Sequence, residues 1–258
     1  MNEASRLLES RKKLVFCTVV EKKGHGPREV GAKMIVTEDG KTMGTIGGGD
    51  FERSLVGECL KALKERKSKK VSFNLSREPQ EGAVRTGMIC GGELTVLADV
   101  MAPATRLVIV GAGHVALPLA KLASLVGFKI VVVDDERGLV TKETFPMAEK
   151  VIAGDYSKVI SDLDLGSGDF AVIAHGEPEH DYTAVKKLLE KNPDYIGLLG
   201  SSKKATILMQ RLKAEGFSDA QLKALRVPVG LDIGAETPEE IGISILAQII
   251  QFKRQPRC

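Results

Sequence analysis

The residues of this chain best placed to do chemistry sit in glycine-rich segments of two kinds. G-A-G-H-V-A, from Gly111 to Ala116, fits the G-x-G-x-x-G/A fingerprint of a dinucleotide-binding turn. Gly111 permits the tight turn, Gly113 lets backbone approach a pyrophosphate, and the small Ala116 allows close helix–strand packing. The helix that opens there points free N–H groups at an anion, with His114 beside them. Asp134 ends the next apolar run, about 20 residues on, the place of a ribose-binding carboxylate. Asp134, Asp135 and Glu136 together repel a 2′-phosphate, so NAD is expected over NADP. Asp232, between Gly230 and Gly234, offers a further carboxylate to a ligand N–H.

The second kind lies in the N-terminal part. G-H-G-P-R-E-V-G-A-K-M supplies Arg28 and Lys33 as cations for a phosphate. T-I-G-G-G-D-F-E brings Gly47, Gly48 and Gly49 to the start of a helix, and M-I-C-G-G-E sets Cys90 before Gly91 and Gly92. Glycine loses more backbone entropy on folding than any other residue, so three such loops in one small domain point to a shared ligand cradle. Asp50 and Glu52, in the helix's first turn, answer the macrodipole themselves and repel an anion. The Gly47–Gly49 N–H groups are therefore expected to meet a neutral heterocycle edge. Cys17 falls in an apolar strand and Cys59 on a helix stripe, the usual places of a buried thiol. Cys90, with glycine neighbours, is the cysteine placed to act as nucleophile, sulfur acceptor or soft metal ligand. Few acid–base pairs accompany these loops, so binding and transfer are expected and no catalytic residue is assigned.

These loops need elements to hold them. Residues Glu3–Lys13 read as a helix, Leu14–Val20 as a strand, and Lys33–Val36 with Lys41–Thr45 as a hairpin turning at Asp39-Gly40. Phe51–Lys64 reads as a helix with Phe51, Leu55, Cys59 and Ala62 on one stripe, and Val71–Asn74 and Glu93–Val100 as strands. After Pro103 the pattern alternates. Strands at Leu107–Val110, Lys129–Val133, Phe170–Ala174 and Tyr195–Leu199 alternate with helices at Val115–Gly127, Ala184–Asn192, Lys203–Gly216 and Pro238–Phe252. Short buried strands alternating with helices form a parallel sheet covered on both faces. Thr237, Pro238 and Glu240 make a capping box for the last helix. The expected α/β architecture is an N-terminal mixed α/β domain, residues 1–102, followed by a Rossmann-like doubly wound parallel sheet, residues 104–258. Its strand-end loops, including Ser201-Ser202 and Asp232, converge on the carboxyl-end crevice; the two serines suit a phosphate or a plain helix cap.

Composition bounds the function. Of 258 residues 43% are apolar and 28% charged, which supports a buried core. Basic and acidic side chains, 37 against 34, leave a net charge of +3 and no basic stripe for nucleic acid. The N-terminal M-N-E-A-S-R-L-L-E-S-R-K-K lacks a signal peptide's apolar core, and no apolar run reaches the length of a membrane span. The four cysteines form no Cys-x-x-Cys pair. A cytoplasmic, reduced protein is expected.

In combination the motifs resemble the xanthine dehydrogenase accessory factor family, the XdhC/CoxI-like proteins. The resemblance spans nearly the whole chain, through the loops already quoted together with G-L-L-G-S-S-K-K and P-V-G-L-D-I-G-A-E-T-P-E-E-I. It implies a chaperone that binds molybdenum cofactor and assists its sulfuration and insertion into an apo-molybdenum hydroxylase, acting with a cysteine desulfurase. Asp50 stands where the family often has cysteine and His25 where it often has serine, which leaves Cys90 to act alone. A homodimer is expected from the resemblance and from the strongly apolar Ile241–Ile250. Two rival classes share the fingerprint. An NAD-dependent oxidoreductase would use His114 or His175 for proton transfer, and a nucleotide-sensing module would do no chemistry. Hydride transfer singles out the first; nucleotide-dependent partner binding without pterin singles out the second.

Overall fold

The structure is a computed structural model that describes residues 2–75, 84–85 and 92–254. The chain divides into two compact units, one up to Pro103 and the other from Ala104.

The first unit runs α1 (Asn2–Glu9), β1 (Leu14–Lys23), β2 (Lys33–Thr37), β3 (Thr42–Gly44), α2 (Gly49–Glu65), β4 (Lys69–Asn74), β5 (Val84–Arg85) and β6 (Glu93–Met101). Its sheet has the order β3-β2-β1-β6-β4-β5, antiparallel except for the β4–β5 pair. The hairpin turns at Gly40 with φ +76°, a conformation glycine adopts without strain. The expected α2 stripe holds: Phe51, Leu55, Cys59 and Ala62 are all fully buried, the first three in one core with Val15, Cys17, Phe73 and Val96. Phe51 meets Phe73 edge-on at 4.8 Å. Burying such a large apolar side chain contributes about 1.5 to 3 kcal/mol, and this stripe fixes where the loop before α2 emerges. The β1–β6 register shifts between Val19 and Glu21, a bulge next to the loop that follows β1. Helix α1 stops at Glu9, short of Lys13, with Arg11 at φ +59°.

The second unit runs β7 (Arg106–Val110), α3 (Ala116–Leu125), β8 (Lys129–Asp134), β9 (Lys150–Ala153), α4 (Tyr156–Asp162), β10 (Asp169–Ile173), α5 (Pro178–Lys191), β11 (Tyr195–Leu198), α6 (Ser202–Ala214), α7 (Asp219–Leu222), β12 (Leu225–Arg226) and α8 (Pro238–Arg254). Every strand pair is parallel, in the order β12-β11-β10-β7-β8-β9. The order reverses between β7 and β10, the switch point where a doubly wound sheet opens a crevice. Strand β7 is central there and completely buried from Leu107 to Val110. Leu107 and Ile109 pack under α3 and α8, whereas Val108 and Val110 pack under α4, α5 and α6. Gly242 lets α8 come close to α3, since a Cβ there would stand 3.3 Å from the Leu119 amide. The capping box forms, with Glu240 N–H donating to Thr237 Oγ1 and Glu240 Oε2 accepting from Thr237 N–H. Five elements were not expected: β5 in the first unit, and β9, α4, α7 and β12 in the second. Helix α5 also starts at Pro178 rather than Ala184.

Candidate functional site

In the first unit the loop after β1 meets both the turn before α2 and Gly92, the residue that precedes β6. A Cβ on Gly47 would fall 2.4 Å from the Pro27 ring, and one on Gly92 would fall 2.2 Å from the His25 carbonyl oxygen. Gly47 thus leaves room for the Pro27 ring, and Gly92 lets its backbone lie against that of His25. Glu52 then determines what the second loop offers. Its Oε1 accepts from the amides of Ile46, Gly47 and Gly48 at 2.8, 3.1 and 2.9 Å, and from the Thr45 hydroxyl. Burial opposes its charge, but these donors outweigh it and hold the carboxyl below its usual range. The Gly47 and Gly48 N–H groups, expected to meet a ligand, are taken by the helix's own first turn. Gly49 is exposed at φ +64° and Asp50 pairs with Arg53.

Arg28 on the first loop and Lys33 at the start of β2 are both exposed, and Lys33 Nζ donates to the Gly31 carbonyl at 2.9 Å. Cys90 and Gly91, the expected metal ligand and its neighbour, lie outside the described residues. Cys17 and Cys59 are fully buried with their sulfurs 3.3 Å apart. The hydrogen bond to Cys59, burial and the neighbouring thiol push the Cys17 thiol up, which makes it an inert core group.

In the second unit the fingerprint turn sits at the switch point. Gly111 has φ +100°, and a Cβ there would stand 2.6 Å from the His175 amide nitrogen. Only glycine lets the loops after β7 and β10 come so close. Beside them a cavity of about 500 Å³ is lined by Ala112, Gly113, His114, Leu139, Pro238 and Glu239, among others. Asp134 needs a correction. It is 2% exposed, and its two oxygens accept from the Ala112 amide at 2.5 Å and the Glu136 amide at 2.8 Å. Its carboxylate thus fastens the glycine turn to β8 instead of facing a ribose. Asp232 is exposed and is not among the residues lining the cavity. Ser201 caps α6 by accepting from the Lys204 amide, the plainer of its two expected roles.

One cluster escaped the sequence reading as a group. Asp135 after β8, His175 after β10 and His180 in the first turn of α5 bring their polar atoms within 4.8 Å of one another. Tyr156 braces it, its hydroxyl donating to Asp135 Oδ1 at 3.1 Å. Burial opposes the Asp135 charge, but the Tyr156 bond and nearby donors and charge outweigh it and lower the carboxyl. The signal was present in E-P-E-H: Pro178 at the first helical position starts α5 early enough to hold His180.

Comparisons with known proteins agree with this architecture. A family model described as the XdhC Rossmann domain matches residues 107–249, and one described as the XdhC and CoxI family matches residues 7–74. An uncharacterized protein YqeB of Escherichia coli (strain K12) is 37% identical over 97% of this chain and 46% of its own length. The molybdenum cofactor insertion chaperone PaoD of the same organism is 26% identical, covering 97% of this chain and 86% of that protein. The chain spans about half the length of two of the curated relatives it matches. A crystal structure described as a xanthine dehydrogenase from Bacillus halodurans is similar at TM-score 0.54 and 26% identity, covering 96% of this chain and 95% of that one.

Proposed function

This chain belongs to the XdhC and CoxI family, and from that premise we propose that it is an accessory protein that binds molybdenum cofactor and delivers it to a xanthine dehydrogenase-type molybdenum hydroxylase. The role of the similar protein PaoD, molybdenum cofactor insertion, supports the choice of cargo. The structural observation that supports the reading is the close approach, in the first unit, of the loop after β1 to the turn before α2 and to Gly92, with Pro27 on Gly47 and His25 on Gly92. Arg28 lies on the same loop as that contact and Lys33 at the start of β2 just after it, where they pair with the cargo's phosphate. Glu52 keeps the 45–49 turn rigid, so this loop forms a wall of the site and the cations supply the charge. Cys90 contributes a soft sulfur toward the dithiolene, following from its glycine neighbours in the sequence. The protein holds, orients and shelters its cargo, and no bond is made or broken in that role.

Finer parts belong to the same proposal. Sulfuration takes place with a cysteine desulfurase, in the cytoplasm; among the described residues no helix is long and apolar enough to cross a membrane. A homodimer forms through α8, although Ile245, Leu246 and Ile249 already pack inside the second unit and leave Ile243 and Ile250 as its exposed isoleucines. A second ligand, NAD, is proposed for the crevice because Gly113 and His114 line the cavity there. The experiment is anaerobic incubation of the chain with released cofactor, followed by gel filtration with molybdenum and pterin analysis and by addition of an apo-hydroxylase. Co-elution and activation are expected. Absence of both, together with hydride transfer from NADH, would replace this reading with the oxidoreductase.

A further inference from the structure

We propose that Asp135, His175 and His180 form a binding site for a first-row divalent transition metal at the carboxyl end of the second unit's sheet. The distances separate this from an ordinary polar cluster. His175 Nε2 stands 3.5 Å from Asp135 Oδ1, and His180 Nδ1 stands 3.7 Å from Asp135 Oδ2 and 3.3 Å from Glu177 Oε2. Charge-assisted hydrogen bonds close to about 2.7 to 2.9 Å, so these groups face one another without bonding. Two donors sharing one tetrahedral zinc, each about 2.0 to 2.1 Å from it, stand about 3.4 Å apart. The two histidine–Asp135 distances approach that spacing, and one ligand atom from each of the three residues lies within 4.8 Å of the others, close enough to draw in around one ion. Among the described residues His180 Nδ1 is shielded from solvent and has no hydrogen-bond partner, leaving a buried nitrogen that a cation would satisfy.

The surroundings hold the donors in place. Asp135 follows β8, His175 follows β10, and His180 is fixed by the start of α5. The Tyr156 hydroxyl orients Asp135, and its ring meets both imidazoles edge-on at 5.4 and 5.6 Å. Two imidazoles and one carboxylate select zinc, iron(II), cobalt, nickel or copper over magnesium and calcium. Glu177 is the nearest further donor, and its 71% exposed side chain can yield that position to a ligand in the crevice. Binding at His175 Nε2 moves the ring proton to Nδ1, which now accepts a long 3.4 Å contact from the Glu177 amide. Metal loading therefore also loosens that contact, beside Gly111.

The test uses the full chain stripped by chelator, in a Cys90→Ser, Cys258→Ser background that removes the two cysteines outside the buried pair. It is titrated with Zn²⁺ by calorimetry and with Co²⁺ by visible absorption. One Zn²⁺ per chain and d–d bands free of thiolate charge transfer are expected. His180→Ala and Asp135→Asn should each weaken Zn²⁺ binding at least about tenfold, with unchanged circular dichroism. No Zn²⁺ uptake by the parent chain, or equal uptake by both variants, would overturn the site. Should His180→Ala misfold, His180→Gln and Asp135→Asn decide the matter by the same readout.

Discussion

The turn at 45–49 and the turn at 111–113 read alike in the sequence, as glycines opening a helix, and each is filled by a carboxylate of its own unit. They differ in where that carboxylate comes from. In the first unit Glu52 folds back from α2 and takes three consecutive loop amides, so the turn is closed to an outside anion. In the second unit Asp134 reaches in from β8 and takes the Ala112 amide, leaving Gly113 and His114 facing a cavity. A glycine motif thus states that the backbone is bent. Whether its N–H groups are available depends on a carboxylate that folds onto them: Glu52, the last residue of T-I-G-G-G-D-F-E, in the first unit, and Asp134, from the next strand, in the second. The same contrast is why we propose the side-chain cations Arg28 and Lys33, and not the loop amides, for the cargo phosphate.

The sharpest way to break the comparison is at Gly111. Alanine there combines φ +100° with a Cβ 2.6 Å from backbone, so Gly111→Ala should cost about 3 kcal/mol or more in urea unfolding. Gly113→Ala, whose Cβ would find its nearest neighbour at 3.7 Å, should stay within about 1 kcal/mol. Equal losses would mean that the loops after β7 and β10 are not pressed together.

Next is Glu52→Gln, which removes a charged acceptor from three amides and should cost about 2 kcal/mol. The pH dependence has a definite sign. Because the folded pKa of Glu52 lies below its unfolded value of about 4.3, its contribution is complete above that value and is lost as pH falls through the folded pKa. Wild type should therefore lose stability faster than Glu52→Gln over that acid range, and parallel pH profiles would show that Glu52 is not the closing group.

Smaller effects distinguish packing from function. Cys59→Ser puts a hydroxyl into a fully apolar setting beside Cys17 and should lower stability by about 1 to 2 kcal/mol in thermal unfolding. Ser201→Ala should cost about 1 kcal/mol, because Ser201 is a helix cap. A loss of ligand affinity at unchanged stability would instead restore the phosphate role.

Periodicity made most of the elements legible. The α2 stripe and the strands β7, β8, β10 and β11 emerge where the apolar runs lie, since burial on one or two faces leaves that pattern in the residues. Strand β9 stayed hidden because its K-V-I-A is short and only partly buried, and β12 because it spans only Leu225–Arg226. The spacing placed Asp134 correctly at a strand end, but its role follows from the neighbouring Ala112 amide, a tertiary fact. His180 was missed because the first turn of α5 is polar, so the apolar period begins only at Tyr182 and Ala184.

The central claim is that the cargo sits on the first unit's loops and not in the second unit's crevice. The most direct measurement is an anaerobic fluorescence titration of released molybdenum cofactor into wild type, Arg28→Ala/Lys33→Ala and Gly113→Ala, at low and high salt. The paired substitution should weaken binding at least about tenfold at low salt, with the gap to wild type narrowing at high salt, and Gly113→Ala should bind as wild type does. Full binding by the paired variant with loss in Gly113→Ala would move the cargo to the crevice and contradict the account.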